Sequence, residues 1–342
     1  MDLKTLCELR GLSGREDAVR KAVYDVCVEK LGKENVSFDG NGSVIAVRKA
    51  TDKALPRVML AAHMDEVGLV AISATDEGLI NVRTIGSVDP RVLLSKRVTV
   101  GYGDDAVPGV IGYPPIHLQS QEDYKAAPKL DKLTVDIGAK DKAEAEGKAP
   151  KGTHISFDTK YTDFGDGFVC AKALDDRVGV FNLLRLLDAP YGGELIFAFT
   201  AQEEVGLRGA YAAGYRAQPD IGIALEGTSA NDLGDTPDQF KVCIPGQGPC
   251  VSFMDHSSIA DHELFKLVLK AGEAENVPHQ IKKFIAGGND AGAIQRAGAG
   301  AKTVVISVPC RNIHSPASGC CLKDVDNQLA LAKATLKHLM KG

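Results

Sequence analysis

The chain has 342 residues, of which 44% are hydrophobic and 25% charged. That length suggests about two domains of ordinary globular composition, so fibrous and disordered classes are excluded. Forty basic against forty-five acidic residues give a net charge of −5, which speaks against a broad nucleic-acid surface. The start, MDLKTLCELRGLSG, lacks the basic and then apolar pattern of a signal peptide. No apolar run approaches the ~18 residues a membrane span requires, so no membrane partner is expected. The eight cysteines are scattered and form no CxxC pair. They read as reduced thiols in a cytoplasmic protein. The adjacent pair Cys320-Cys321 reads as core filling.

Ser13-Gly14-Arg15-Glu16 has capping-box spacing. The apolar positions Val19, Val23, Val26, Cys27 and Leu31 then predict a helix. Strand-like runs follow at 36–38 and 43–47, and RVMLAA (57–62) is of buried-strand type. From about Gly68 to Asp163 the texture changes. GLVAISATDEG, INVRTIG, RVTVGYG, GVIGYPP, LTVDIGA and HISFDTKY alternate with turn residues, which predicts a small β-domain with at most a short helix near 140–146. Strand–helix alternation then returns. LDDRVGVFNLLRLLDA reads as an amphipathic helix, ELIFAFT as a strand and LRGAYAAGY as a helix. IGIAL is a strand, DHELFKLVLKAGEAE a helix, KTVVISVP a strand, and 322–340 a closing helix. The fold class is therefore α/β with a flanked, mixed and largely parallel sheet. Residues 1–67 and 164–342 would form the main domain, and 68–163 an inserted, barrel-like β-domain. Loops tolerate such insertions at small entropic cost. A small β-domain also has edge strands to cover, and association with a second copy is one way to cover them.

The chemistry-bearing residues cluster at strand ends. RVMLAA runs into His63-Met64-Asp65-Glu66, ELIFAFT into Ala201-Gln202-Glu203-Glu204, IGIAL into Glu226-Gly227, and KTVVISVP toward His314. Asp175-Asp176-Arg177 opens a helix after FVCAKAL. That edge of a parallel α/β sheet is where ligands bind. Two imidazoles with several carboxylates suit zinc, cobalt or manganese better than calcium or magnesium. His63, Asp175, Glu204, Glu226 and His314 make a shell for two divalent ions. With Asp175 bridging, each ion gains one His and one terminal carboxylate, and positions stay open for water and substrate. Glu203 is placed as the general base acting on a bridging water. Asp65, two residues after His63, is placed as the carboxylate that orients it.

These segments carry a resemblance. His63-Met64-Asp65-Glu66-Val67-Gly68, Ala173-Leu174-Asp175-Asp176-Arg177-Val178-Gly179, Glu203-Glu204-Val205-Gly206, Gly287-Gly288-Asn289-Asp290-Ala291 and His314-Ser315-Pro316 resemble the glutamyl/deblocking aminopeptidases, the tetrahedral TET dinuclear metallopeptidases. The resemblance covers nearly the whole chain, in order. It implies a zinc-peptidase-like catalytic domain, an inserted barrel-like domain, small peptide substrates and assembly into dimers and often dodecamers. Carried over by motif, the ligands are His63, Asp175 (bridging), Glu204, Glu226 and His314, with Glu203 as base and Asp65 as orienting carboxylate. Three positions depart from the family pattern: Glu226 stands where Asp is common, Asn289 where Thr is usual, and Asn312 where an aromatic is frequent. Rival readings are a related metal deacylase or carboxypeptidase, a glucanase, and a silent assembly protein. A glucanase needs a carboxylate pair rather than a metal cluster, and a silent protein would show a lost ligand.

Overall fold

The computed structural model describes residues 1–340. Its main sheet has eleven strands. Four central strands run parallel, in the order Leu195–Thr200, Val58–His63, Ile221–Ser229, Lys302–Arg311. The flanking strands are antiparallel: Val44–Arg48 and Val36–Phe38 on one side, Ser318–Cys321, Phe168–Ala171 and Thr162–Gly165 on the other. The sheet is mixed with a parallel centre, as the sequence predicts. Short connections join Val36–Phe38 to Val44–Arg48, Thr162–Gly165 to Phe168–Ala171 and Lys302–Arg311 to Ser318–Cys321, and short connections join only antiparallel neighbours.

The central strands are buried along both faces, which is why they read as continuous apolar runs. Their alternation still sorts the core. Val58, Leu60, Ala62, Leu195, Phe197 and Phe199 pack toward the helices Asp17–Leu31, Leu174–Leu186, His262–Ala274 and Leu322–Leu339. Met59, Ala61, Ile196 and Ala198 face Arg208–Ala217 and Asp290–Arg296. The Leu174–Leu186 helix is not amphipathic as expected. Ten of its thirteen residues are buried, because sheet and helices surround it.

Strands Gly68–Ala74, Ile80–Ile85, Arg97–Val100, Val107–Gly112, Thr134–Asp136 and His154–Phe157 close into a six-stranded barrel. Its own core includes Leu69, Ile80, Val82, Val98, Ile111, Val135 and Ile155. Two expectations change here. The barrel ends at Phe157, and the boundary expected at residue 163 falls inside Thr162–Gly165, a strand of the main sheet. Closure also removes the free edges that were the sequence-based reason for assembly. Among the described residues no helix is long and apolar enough to cross a membrane.

One glycine fixes how closely helix and sheet approach behind the site. A Cβ on Gly179 would stand 2.3 Å from the Leu225 carbonyl oxygen and 2.5 Å from both Asp176 carboxylate oxygens. We expect Gly179→Ala to cost about 1–3 kcal/mol, the usual range for overpacking. Thermal unfolding checks this: an unchanged Tm would show that the helix can retreat freely.

Candidate active site

The site residues lie on the central strands or in the turns, loops and helix start that follow strands. His63 closes Val58–His63, and Glu226 lies within Ile221–Ser229. Glu203 and Glu204 occupy the turn after Thr200, where Gln202 takes a left-handed φ of 60° and Gly206 a φ of 120°. That broken backbone frees the two acids from strand alternation. His314 lies in the loop between Lys302–Arg311 and Ser318–Cys321. Asp175 and Asp176, joined by a cis peptide bond, precede the regular turns of their helix.

The structure brings all five expected ligands together. His63 Nε2 stands 3.4 Å from Asp175 Oδ1 and 3.7 Å from Glu226 Oε2. His314 Nε2 stands 3.5 Å from Asp175 Oδ2 and 3.4 Å from Glu204 Oε2. The two oxygens of Asp175 therefore face different imidazoles, each with one further carboxylate. Ligands about 2.05 Å from a tetrahedral zinc lie about 3.3 Å apart, so the spacings suit donors sharing a cation. The charge balance suits it too. Asp175, Asp176, Glu203, Glu204, Glu226 and Asp290 all lie against this centre, their side chains at most 11% exposed. Burial raises Glu203 and Glu226 well above the usual carboxylate range and pushes Glu204 up to about 7. Burial works to lower His314, but the Asp175 contact and the Glu204 charge outweigh it, to about 9. Buried carboxylates at this density demand positive charge, and the His63, Asp175 and Glu204 donors and the His63, Asp176 and Glu226 donors are each close enough together to hold a metal ion that would supply it.

Glu203 Oε2 lies 3.9 Å from His63 Nε2, beside the centre. Asp65 does more than expected, and in a different way. His63 Nδ1 lies 3.1 Å from the Asp65 backbone oxygen, against 3.6 Å from its carboxylate. The carboxylate instead accepts from the backbone N–H groups of Glu203 (2.9 Å) and Glu204 (3.1 Å) and from Ser13 Oγ (2.6 Å). It ties the acid-bearing turn to the His63 strand. We expect Asp65→Asn to lower metal affinity or kcat by roughly 10–100-fold, as for other residues that hold ligands in place. Metal titration and steady-state kinetics measure it; a normal enzyme would refute the role.

Several residues that stand out in the sequence have different partners in the fold. Ser13 and Glu16 form no capping box: Ser13 serves Asp65, while Glu16 accepts from Gly14 and Gln202. Asp176 makes a second trio with His63 and Glu226. Its oxygens already accept from the N–H groups of His63 and Gly179, each at 3.1 Å, so it braces strand against helix. Asp290 accepts from Thr200 Oγ1, and its second oxygen has no partner among the described residues. Asn289 caps its helix through Ala291 N and donates to Asp255 Oδ2 at 2.7 Å. Asn312 adopts a φ of 55°, which asparagine tolerates well. Lys282, on the wall of the adjoining cavity of about 290 Å³, was missed. In the pair Lys282-Lys283 it looks like solvated charge.

The M42 glutamyl aminopeptidase family model matches residues 42–331. The chain belongs to this M42 family. It is a hydrolase of the aminopeptidase class, acting on peptide bonds. A protein described as a putative aminopeptidase from Acetivibrio thermocellus is 33% identical, over 96% of each chain. The structure is similar to an aminopeptidase from the archaeon Desulfurococcus kamchatkensis. That likeness has a TM-score of 0.91 and 33% identity, and covers 99% of this chain and 96% of the other. It is also similar to the Pyrococcus horikoshii TET1 peptidase, described as assembling into a tetrahedron or a large octahedral shell. There the TM-score is 0.83 and the identity 30%, over 97% of each chain.

Proposed function

We propose that this M42 enzyme removes N-terminal residues from small peptides with two divalent cations, zinc or cobalt first and manganese next. His63, Asp175 and Glu226 would hold one cation, and His314, Asp175 and Glu204 the other. The observation that carries this is the placement of the two Asp175 oxygens, each facing its own imidazole and carboxylate. When bound, the cations supply Lewis acidity toward the scissile carbonyl and the attacking water. The chain's own groups do the rest. Glu203 takes a proton from that water at a carboxylate oxygen and later delivers it to the leaving amine. Its raised proton affinity, which comes from burial, suits both halves of that transfer. Asp65 holds the Glu203 backbone in place, and Gly227 leaves room for Asp175, whose Cβ lies 3.2 Å from where a side chain at 227 would begin.

A screen of unblocked and N-acetylated aminoacyl substrates on the metal-loaded enzyme tests this. Hydrolysis of the unblocked forms alone is expected. Selective hydrolysis of the acetylated forms would replace the aminopeptidase reading with a deacylase, and selective removal of C-terminal residues with a carboxypeptidase.

We also propose that the chain is a homo-oligomer built from dimers, with segment 68–163 as the assembly element supplying no metal ligand. The overall likeness to the TET1 peptidase supports this, as do Ile116, Leu118 and Tyr124, which stand 60–72% exposed on a barrel loop. Closed symmetry favours a dimer as the unit. Light scattering on the full chain tests it: a strict monomer at micromolar concentration would refute assembly. All eight cysteines are free thiols, which fits the cytoplasmic setting read from the sequence.

A further inference from the structure

The two imidazoles of the centre are held in different ways. His63 closes Val58–His63, a strand paired on both sides. His314 has no such support. It lies in the loop between Lys302–Arg311 and Ser318–Cys321, strands that share only the Cys310–Cys320 and Arg311–Gly319 rungs. Among the described residues no backbone–backbone hydrogen bond fixes residues 312–317. Asn312 and His314 both take a left-handed φ, 55° and 56°. Asparagine and histidine enter that region more readily than most residues, yet it is uncommon for either. Two buried hydroxyls do what the ladder does elsewhere. Ser315 Oγ has one hydrogen to give, and the nearer of two carbonyls takes it: Asn312 at 2.6 Å, against Ala317 at 3.1 Å. The same oxygen accepts from the Ala317 N–H at 3.2 Å. Ser318 Oγ donates to the Asn312 carbonyl as well, at 3.1 Å. One carbonyl thus collects both hydroxyls and closes the loop across its mouth, with His314 inside it.

We propose that Ser315 and Ser318 are positioning residues for His314, holding its loop so that the imidazole meets Asp175 and Glu204 before a cation arrives. This rests on the two-cation reading above. Ser315 and Ser318 are 8% and 3% exposed, so water competes poorly for their bonds. Pro316 has a fixed φ and confines the backbone of Ser315 before it. His314 itself is 37% exposed, with Nε2 3.5 Å from Asp175 Oδ2 and 3.4 Å from Glu204 Oε2. Its own surroundings therefore do little to fix the ring, and the loop backbone must. A loop released to other conformations would present the imidazole for part of the time only, and affinity falls by that fraction. The loss would be confined to one ion. Asp175 and Glu204 are carried by other segments, and His63 and Glu226 lie on strands that these hydroxyls do not touch.

The test is zinc titration by calorimetry on the full chain, beside thermal unfolding of the metal-free protein. Ser315→Ala should weaken one ion by roughly 10–100-fold, the range for residues that hold a ligand in place, and leave the other unchanged. His314→Ala should weaken the same ion. In that background Ser315→Ala should cost nothing further, because a residue that acts through His314 then has nothing left to hold. Additive losses overturn the proposal. So does equal weakening of both ions with a lowered Tm, which would mark a bond that serves the fold alone. Thr and Val at position 318 add the same branch and differ in the hydroxyl. Ser318→Thr should therefore bind that ion nearly as the wild type does, and Ser318→Val should not. Equal behaviour of this pair overturns the proposal, and the pair decides where Ser315→Ala does not fold. Unchanged zinc binding in Ser315→Ala overturns this inference alone. A wild-type chain that binds no zinc, cobalt or manganese overturns the two-cation reading and this inference with it.

Discussion

Glu203→Gln is expected to keep its metal and lose most of its turnover. The amide is nearly the same size and shape as the carboxylate, so the turn after Thr200 has no reason to move. That turn is fixed by backbone contacts: the Glu203 and Glu204 N–H groups donate to Asp65, and the Glu203 carbonyl accepts from Gly206 and Leu207, each at 2.9 Å. None of these uses the Glu203 side chain. What changes is proton affinity. An amide cannot take a proton from water at working pH or return one to an amine, and a positioned general base contributes about 10²–10⁴ in rate. The expected result is therefore a fall in kcat of that order, with KM little altered and two metals per chain by elemental analysis. Near-normal kcat in a metal-replete variant would remove Glu203 from the chemistry. Loss of metal would recast it as a ligand.

The elements that the sequence made legible are those whose burial is uniform along the strand. RVMLAA, ELIFAFT, IGIAL and KTVVISVP are central and covered on both faces, so their apolar runs carry the signal. The site was legible for a related reason: acids and imidazoles directly after such runs must lie at one edge of the sheet. The contacts that hold these groups were not legible. Asp65 is satisfied by backbone N–H groups of residues 203 and 204, and a peptide N–H leaves no trace in a sequence. Ser13 and Glu16 have the local spacing of a cap, yet Ser13 donates to Asp65, 52 residues away, and Glu16 accepts from Gln202, 186 residues away, as well as from Gly14. Closure of the barrel depends on Gly68–Ala74 pairing with His154–Phe157, a register between segments some eighty residues apart. Lys282 was hidden by its neighbour Lys283: one is buried and the other exposed, the alternation of extended chain.

Asp175→Asn is expected to weaken both metals together. The substitution preserves volume, so the space beside Gly227 and the helix start need not change. It removes one negative charge and replaces one acceptor oxygen with an NH2 group, which binds no cation. In the structure Asp175 Oδ1 faces His63 and Oδ2 faces His314, so whichever oxygen is replaced, one site loses a donor. The other site loses half of its shared charge in a buried setting, where charge counts most. The cost per ion should exceed the roughly 10–100-fold typical of losing a residue that only supports a ligand. By comparison, His314→Ala should weaken mainly the site it shares with Glu204, and His63→Ala the site it shares with Glu226. Titration calorimetry with zinc, alongside circular dichroism to establish folding, separates these outcomes. A folded Asp175→Asn variant that still binds two zinc ions tightly would show that the carboxylate does not bridge. One tight and one lost site would assign it to a single ion. Parallel loss of both would leave the bridging arrangement as the account of why one buried carboxylate stands between two histidines.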